Sequence, residues 1–190
     1  MSPVVLTMPL RKSADLQRAE AARIAAGSAN SQPAAQSRPS ADQGGTAVAQ
    51  VLALINRTRA RTGLTALAMD SGLVACAAAH NLRMAESSGL SHQCPGEPPL
   101  SARATAAGVV WSAIAENVGM GGPVAGTDEA IAEMVVSLTQ AMINERPPDD
   151  GHRRNILSSD FTRVGIAVYR ESSGTVWLTQ DFANGAASPA

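Results

Sequence analysis

Large apolar residues recur along the chain first at helical spacing and later, near the C-terminus, in alternation. Val48, Val51, Leu52, Leu54 and Ile55 repeat every three to four positions, the period that lines up side chains on one helix face. Arg57, Arg59 and Arg61 crowd the end of this run and Gly63 follows, so the spacing predicts a helix starting near residue 46 and ending where basic groups meet the negative pole of its dipole. Asp70 suits the N-cap of a second helix carrying Leu73, Val74, Ala77, Leu82 and Met84, which Ser87, Ser88 and Gly89 break. Beyond an irregular, Pro-rich stretch at residues 94–99, a third, short helix is expected over residues 101–107 with Gly108 as its stop. Residues 115–119 read as a strand or extended segment entering a glycine-rich loop. A fourth helix is expected over residues 127–143, with Thr127 as N-cap, Asp128 and Glu129 in the first turn, and Ile131, Met134, Val135 and Leu138 on one face. The period then drops to two: Val164, Ile166 and Val168, and after Ser172-Ser173-Gly174 the run Val176, Leu178 and Phe182, predict a β-hairpin. Helices followed by antiparallel strands make an α+β domain whose sheet is covered by helices.

The first 45 residues lack this patterning. Residues 15–26 could form a short helix, but its apolar side is almost all alanine and has little to bury. Residues 27–45 are rich in Ser, Ala, Gln, Pro, Gly and Asn, too poor in large apolar groups to offset the entropy of ordering. Residues 1–45 are therefore expected to be a disordered tail or linker, residues 46–184 the folded domain, and residues 185–190 a C-terminal tail. A length of 190 residues accommodates one domain with such extensions.

Composition narrows the function classes. Fifteen basic against 16 acidic residues, a net charge of -1, exclude a strongly basic nucleic-acid binder. The hydrophobic fraction of 45% suffices for a core, yet two Phe, one Tyr and two Trp leave Leu, Val, Ile, Met and Ala to pack it. The longest central apolar stretch, residues 104–115, falls short of the ~20 residues of a membrane-crossing helix, so no transmembrane segment is expected. Near the start, a mildly apolar run precedes Arg11 and Lys12, whereas a secretory signal has its charges first; either the chain has no signal or one has been removed.

Few residues are candidates for chemistry. The two cysteines, Cys76 and Cys94, fit a disulfide closing a loop of about 18 residues and contributing ~3 kcal/mol; the alternative is a pair of buried free thiols. Of three histidines, His80 lies inside the second helix and reads as structural, while His92 and His152 lie in loop-like segments, where functional side chains concentrate. Glu116 stands within an apolar run, where a carboxylate needs a partner. Glu145 closes the fourth helix, an unfavourable place for an acid, and as a surface residue it would pair with Arg146 or Arg153. No local metal motif of the HExxH kind is present, so any shared site must be assembled by the fold.

The ordered series Ser91-His92, Ala115-Glu116-Asn117, Gly151-His152-Arg153-Arg154-Asn155-Ile156-Leu157, Val164-Gly165-Ile166-Ala167 and Thr179-Gln180-Asp181-Phe182 resembles the bacterial branch of the CAP superfamily. That superfamily comprises cysteine-rich secretory proteins, antigen 5 and pathogenesis-related proteins, and its unit is also called the SCP domain. The resemblance covers about residues 46–184. It implies an α-β-α sandwich with a small antiparallel sheet between helix layers, and a secreted or periplasmic location. It also implies a cleft formed by His92, Glu116 and His152, with Glu145 at the position of the second acid, where Met142 replaces the usual Trp. His92 and His152 would then be ligands for a divalent cation such as Zn²⁺. Two functions follow as expectations: a binding module for a lipid, sterol or cell-envelope ligand, or a metal-dependent, protease-like hydrolase using the same cleft.

Overall fold

The computed structural model describes residues 4–7, 11–12, 41–87 and 89–185, and its elements follow the hydrophobic pattern closely. The first helix, α1 (Ala41–Arg61), starts ahead of residue 46 and buries Ala47, Val51 and Ile55 completely. Its Arg59 is 1% exposed because the guanidinium donates to the carbonyls of Thr65, Ile156 and Ser158 at 2.8, 2.8 and 2.9 Å. That side chain ties the loop after α1 to the region before the hairpin.

Helix α2 (Ser71–Glu86) is capped as expected, the Asp70 carboxylate accepting from the Leu73 amide at 3.0 Å. Helix α3 spans Leu100–Ala106. Helix α4 (Asp128–Asn144) begins after Thr127, whose hydroxyl accepts from the Ala130 amide at 3.3 Å. Within the expected domain two short elements were not foreseen: strand β3 (Ala68–Met69) and helix α5 (Gly151–Ile156), which carries His152 in place of the expected loop. The strand expected over residues 115–119 is longer, β4 (Ala113–Gly121), and the hairpin is β5 (Arg163–Arg170) with β6 (Val176–Ala183).

Within the segment read as a tail, Val4–Thr7 (β1) and Arg11–Lys12 (β2) run antiparallel to β4. The expected helix over residues 15–26 and the stretch from 27 to 40 lie outside the described residues, as do residues 186–190. Sheet order is β1-β4-β6-β5-β3, with β2 also on β4. The sheet is antiparallel except at β3, which pairs parallel with β5, so it is mixed at that edge.

Alternation along the strands assigns the two faces. Ala115, Val164, Ile166, Val176, Leu178 and Phe182 enter the core shared with α1 and α4. Ile114 and Ala183 pack with α2 and α3, and Val118 and Trp177 pack with Met84 of α2. Helices thus cover both faces, the α-β-α sandwich. One glycine is obligatory for this: a Cβ on Gly165 would stand 2.1 Å from the Leu73 carbonyl carbon, because the backbone of α2 lies directly on β5.

The expected disulfide is not formed. Cys76 and Cys94 are both free and buried. Cys76 packs with Leu73, Leu100, Ala104 and Val109 under α2 and α3, whereas Cys94 packs with Met84, Val118 and Trp177. An even count of cysteines is no constraint when each thiol fills a different apolar cluster as a small hydrophobe.

Candidate functional site

The site is organised by two consecutive residues of β4. Because strand side chains alternate, Glu116 leaves on the α2/α3 side with Ile114 and Val118, and Asn117 leaves on the α4/α5 side. Glu116 is fully buried. Its Oε1 lies 2.9 Å from Nδ1 of His92, and its Oε2 accepts from Nη2 of Arg103 at 2.8 Å. Burial favours the neutral carboxyl, but the His92 bond and the Arg103 charge outweigh it and hold the Glu116 pKa below the usual carboxylate range. Arg103 also donates to the His92 carbonyl at 3.1 Å, fixing the loop that presents the imidazole. Nε2 of His92 is buried and has no hydrogen-bond partner.

Asp181 stands opposite Glu116 in the β4–β6 register and is fully buried. Its carboxyl faces Glu116 and the Cys76 thiol. Burial, reinforced by the neighbouring Glu116 charge, pushes its pKa well above the usual aspartate range. The two carboxyls are therefore driven apart, Glu116 downward and Asp181 upward, as close buried acid pairs are.

On the other side of β4, Glu145 is the C-cap of α4, where the chain turns to an extended conformation. Its Oε2 accepts from the amides of His152 and Arg153 at 3.0 and 3.3 Å, and its Oε1 bonds to Nδ1 of His152. The acid that looked misplaced at the end of α4 serves the first turn of α5, where Asp150 makes no side-chain cap bond. The Arg153 guanidinium bonds instead to the Ile143 carbonyl. Asn117 joins the halves: its amide donates to the His152 carbonyl at 3.3 Å, and it accepts from Asn155 at 2.8 Å.

The structure thus joins His92 to Glu116 and His152 to Glu145, with the two pairs on either side of β4. The registers of β1 (Thr7 opposite Asn117) and β2 (Arg11 opposite Ile114) leave Ala115 and Glu116 between them. Several participants escaped the sequence reading. His80, read as structural, is fully buried, with Nδ1 2.9 Å from both oxygens of Glu97 and Nε2 2.8 Å from the Ser91 carbonyl. Arg103 and Glu97 carried no pattern of their own. Asp181 and Asn155 lay inside the quoted motifs, and a polar residue flanked by apolar ones was the available signal.

Comparison with known proteins identifies the family and agrees with the fold. Residues 52–182 match the family described as CAP, the cysteine-rich secretory protein family. The chain is 30% identical over 131 residues to the uncharacterized protein YkwD of Bacillus subtilis strain 168, a match covering 69% of this chain and 45% of that protein. An extracellular protein containing an SCP domain from Bacillus anthracis superimposes with a TM-score of 0.59 at 25% identity, covering 79% of this chain and 45% of the other. An outer surface protein of Borrelia burgdorferi shares the fold at a TM-score of 0.61 and 15% identity, covering 75% and 95% of the two chains. This chain therefore spans less than half the length of both Bacillus proteins.

Proposed function

Since this chain belongs to the CAP family, the cysteine-rich secretory protein family, we propose that it is an extracellular binding module in which His92 and His152 recognise a divalent cation or a cation-carrying ligand. The observation that carries this reading is the commitment of both carboxylates. Glu116 is held by His92 and Arg103, and Glu145 by the His152 ring and two backbone amides. An imidazole whose Nδ1 is bonded to a carboxylate is oriented to offer Nε2 to a metal, and the unpartnered Nε2 of His92 fits that role. A hydrolase would need one of these two carboxylates free to take a proton from metal-bound water, and Glu116 and Glu145 each have partners on both oxygens.

An extracellular setting is supported by the solved relatives described as extracellular or outer surface proteins. For the ligand we favour a component of the cell envelope. A groove of about 790 Å³ beside α4 places Glu129, Glu133 and Gln140 next to Ala132 and Val136, so it offers polar groups beside apolar surface.

Calorimetric titration of Zn²⁺ into the wild type and into His92→Ala and His152→Ala tests the reading. The expected result is one equivalent of Zn²⁺ binding that is weakened at least about tenfold in each variant, since loss of a ligand or of its orienting partner commonly costs about 10–100-fold. Binding that neither substitution changes overturns it.

A further inference from the structure

A second group of metal-ligating side chains lies outside the His92/His152 pairs. Cys94-Pro95-Gly96-Glu97 forms a tight turn: the Glu97 amide donates to the Cys94 carbonyl at 3.0 Å and Gly96 has φ +74. Pro at the second position and Gly at the third are what such a turn requires. The turn exposes Pro95 and Gly96 and buries Cys94 and Glu97, setting a thiol and a carboxylate side by side against His80 of α2. A ring nitrogen of His80, Cys94 Sγ and a Glu97 carboxylate oxygen all lie within 4.8 Å of one another, and among the described residues this is the one trio of metal-ligating types so close together.

We propose that His80, Cys94 and Glu97 form a divalent-metal site for a borderline-soft ion of the Zn²⁺ type. Imidazole nitrogen, thiolate and carboxylate are all ligands that ion accepts, and three protein donors leave a fourth position for water. The surroundings have the features of a built site. Nε2 of His80 faces the Ser91 carbonyl at 2.8 Å, the outer contact that orients a metal-bound histidine. One oxygen of Glu97 accepts from the Cys94 amide at 3.0 Å, which fixes the carboxylate within the turn. Arg103 stands 3.7 Å from Glu97 and favours its ionised form. Binding replaces two protons: the thiol S–H bond breaks as a metal–sulfur bond forms, and the proton held between His80 Nδ1 and Glu97 leaves as both groups turn to the ion, while Nε2 keeps its proton toward the Ser91 carbonyl. Thiolate and carboxylate then neutralise the two charges of the ion.

The test is titration of Co²⁺ alone into the full chain under a thiol-free reductant, followed by near-ultraviolet absorption. A Co²⁺–sulfur bond gives an intense charge-transfer band that imidazole and carboxylate ligands do not, so the readout separates this site from the His92/His152 cleft. The expected result is a band saturating at one Co²⁺ per chain, bleached by Zn²⁺, lost in Cys94→Ser, weakened at least about tenfold in affinity in Glu97→Gln, and retained in Cys76→Ser and His92→Ala. Protection of Cys94 from alkylation by Zn²⁺ in the unsubstituted protein gives the same answer where a variant fails to fold. No charge-transfer band at saturating Co²⁺ together with unprotected Cys94, or a band that follows Cys76, overturns the proposal. The first of these leaves the calorimetric reading of His92 and His152 standing by itself.

Discussion

At the scale of single residues, the buried polar cluster beneath α2 and α3 governs how this protein responds to pH. Glu116 has its folded pKa lowered by His92 and Arg103 against the effect of burial. Its contribution is present above the pKa of an unfolded glutamate and is lost as pH falls through the lowered folded value. Asp181 has the opposite sign, its folded pKa raised by burial and by Glu116. A group so raised is most favourable below its unfolded pKa, and stability falls as pH rises through the folded value. Asp181→Asn keeps the neutral shape and removes the proton, so the variant should retain its melting temperature as pH rises above the unfolded aspartate pKa, where the wild type declines. A gap of at least about 2–4 °C, equivalent to roughly 1 kcal/mol in a domain of this size, is expected in melting curves across acidic to alkaline buffers. Parallel curves for the two proteins would mean that Asp181 is already ionised in the fold.

At the scale of elements, the backbone of α2 lies directly on β5 at Gly165. Gly165 alternates with Val164 and Ile166, and its face is occupied by the Leu73 and Val74 backbone, 2.1 and 2.4 Å from where a Cβ would stand. Backbone cannot swing aside as a side chain can, so Gly165→Ala must push α2 from the sheet. The expected cost is about 3 kcal/mol, the upper part of the usual range for overpacking, read by denaturant unfolding. A change below about 1 kcal/mol would show that α2 shifts freely on the sheet. The same layer carries Asn81, whose amide donates to the Ala167 carbonyl at 2.9 Å and whose oxygen accepts from Thr179 at 2.7 Å. These bonds pin α2 to both strands of the hairpin, and through α2 they set the position of His80.

At the scale of the molecule, the helix layers, the hairpin and β4 form a closed set of contacts, and β1 and β2 add short pairings along β4. Deleting residues 1–40 removes those pairings and leaves α1 intact. The melting temperature should then fall by no more than about 5 °C, given about 2–4 °C per kcal/mol, with cooperative unfolding preserved. A loss of cooperative unfolding would make the strand pairing on β4 integral to the fold. The truncation also uncovers the β4 edge on both sides of Glu116, so repeating the Zn²⁺ titration on it measures how far that edge limits access to His92.

Local patterning in the amino-acid sequence was enough to establish the order and type of the main elements, because helical and alternating periods, Asp70 and Thr127 as caps, and Ser172-Ser173-Gly174 as a turn are local properties. It also singled out His92, Glu116, Glu145 and His152 as candidates, since polar groups in apolar runs and motifs in a fixed order are visible without coordinates. Their partners came from the folded arrangement alone. Alternation along β4 sends Glu116 to one helix layer and Asn117 to the other, so the four residues resolve into two pairs around a strand. Glu145 serves α5 across a turn, and Cys76 and Cys94 are drawn into separate clusters by packing. His80 was read as structural and is buried on α2 and hydrogen-bonded, but its partners, Glu97 and the Ser91 carbonyl, come from a loop that no helical period describes. Hydrophobic patterning fixes which face of an element is buried; which polar groups meet inside depends on contacts between elements distant in sequence, and those follow from how the layers stack.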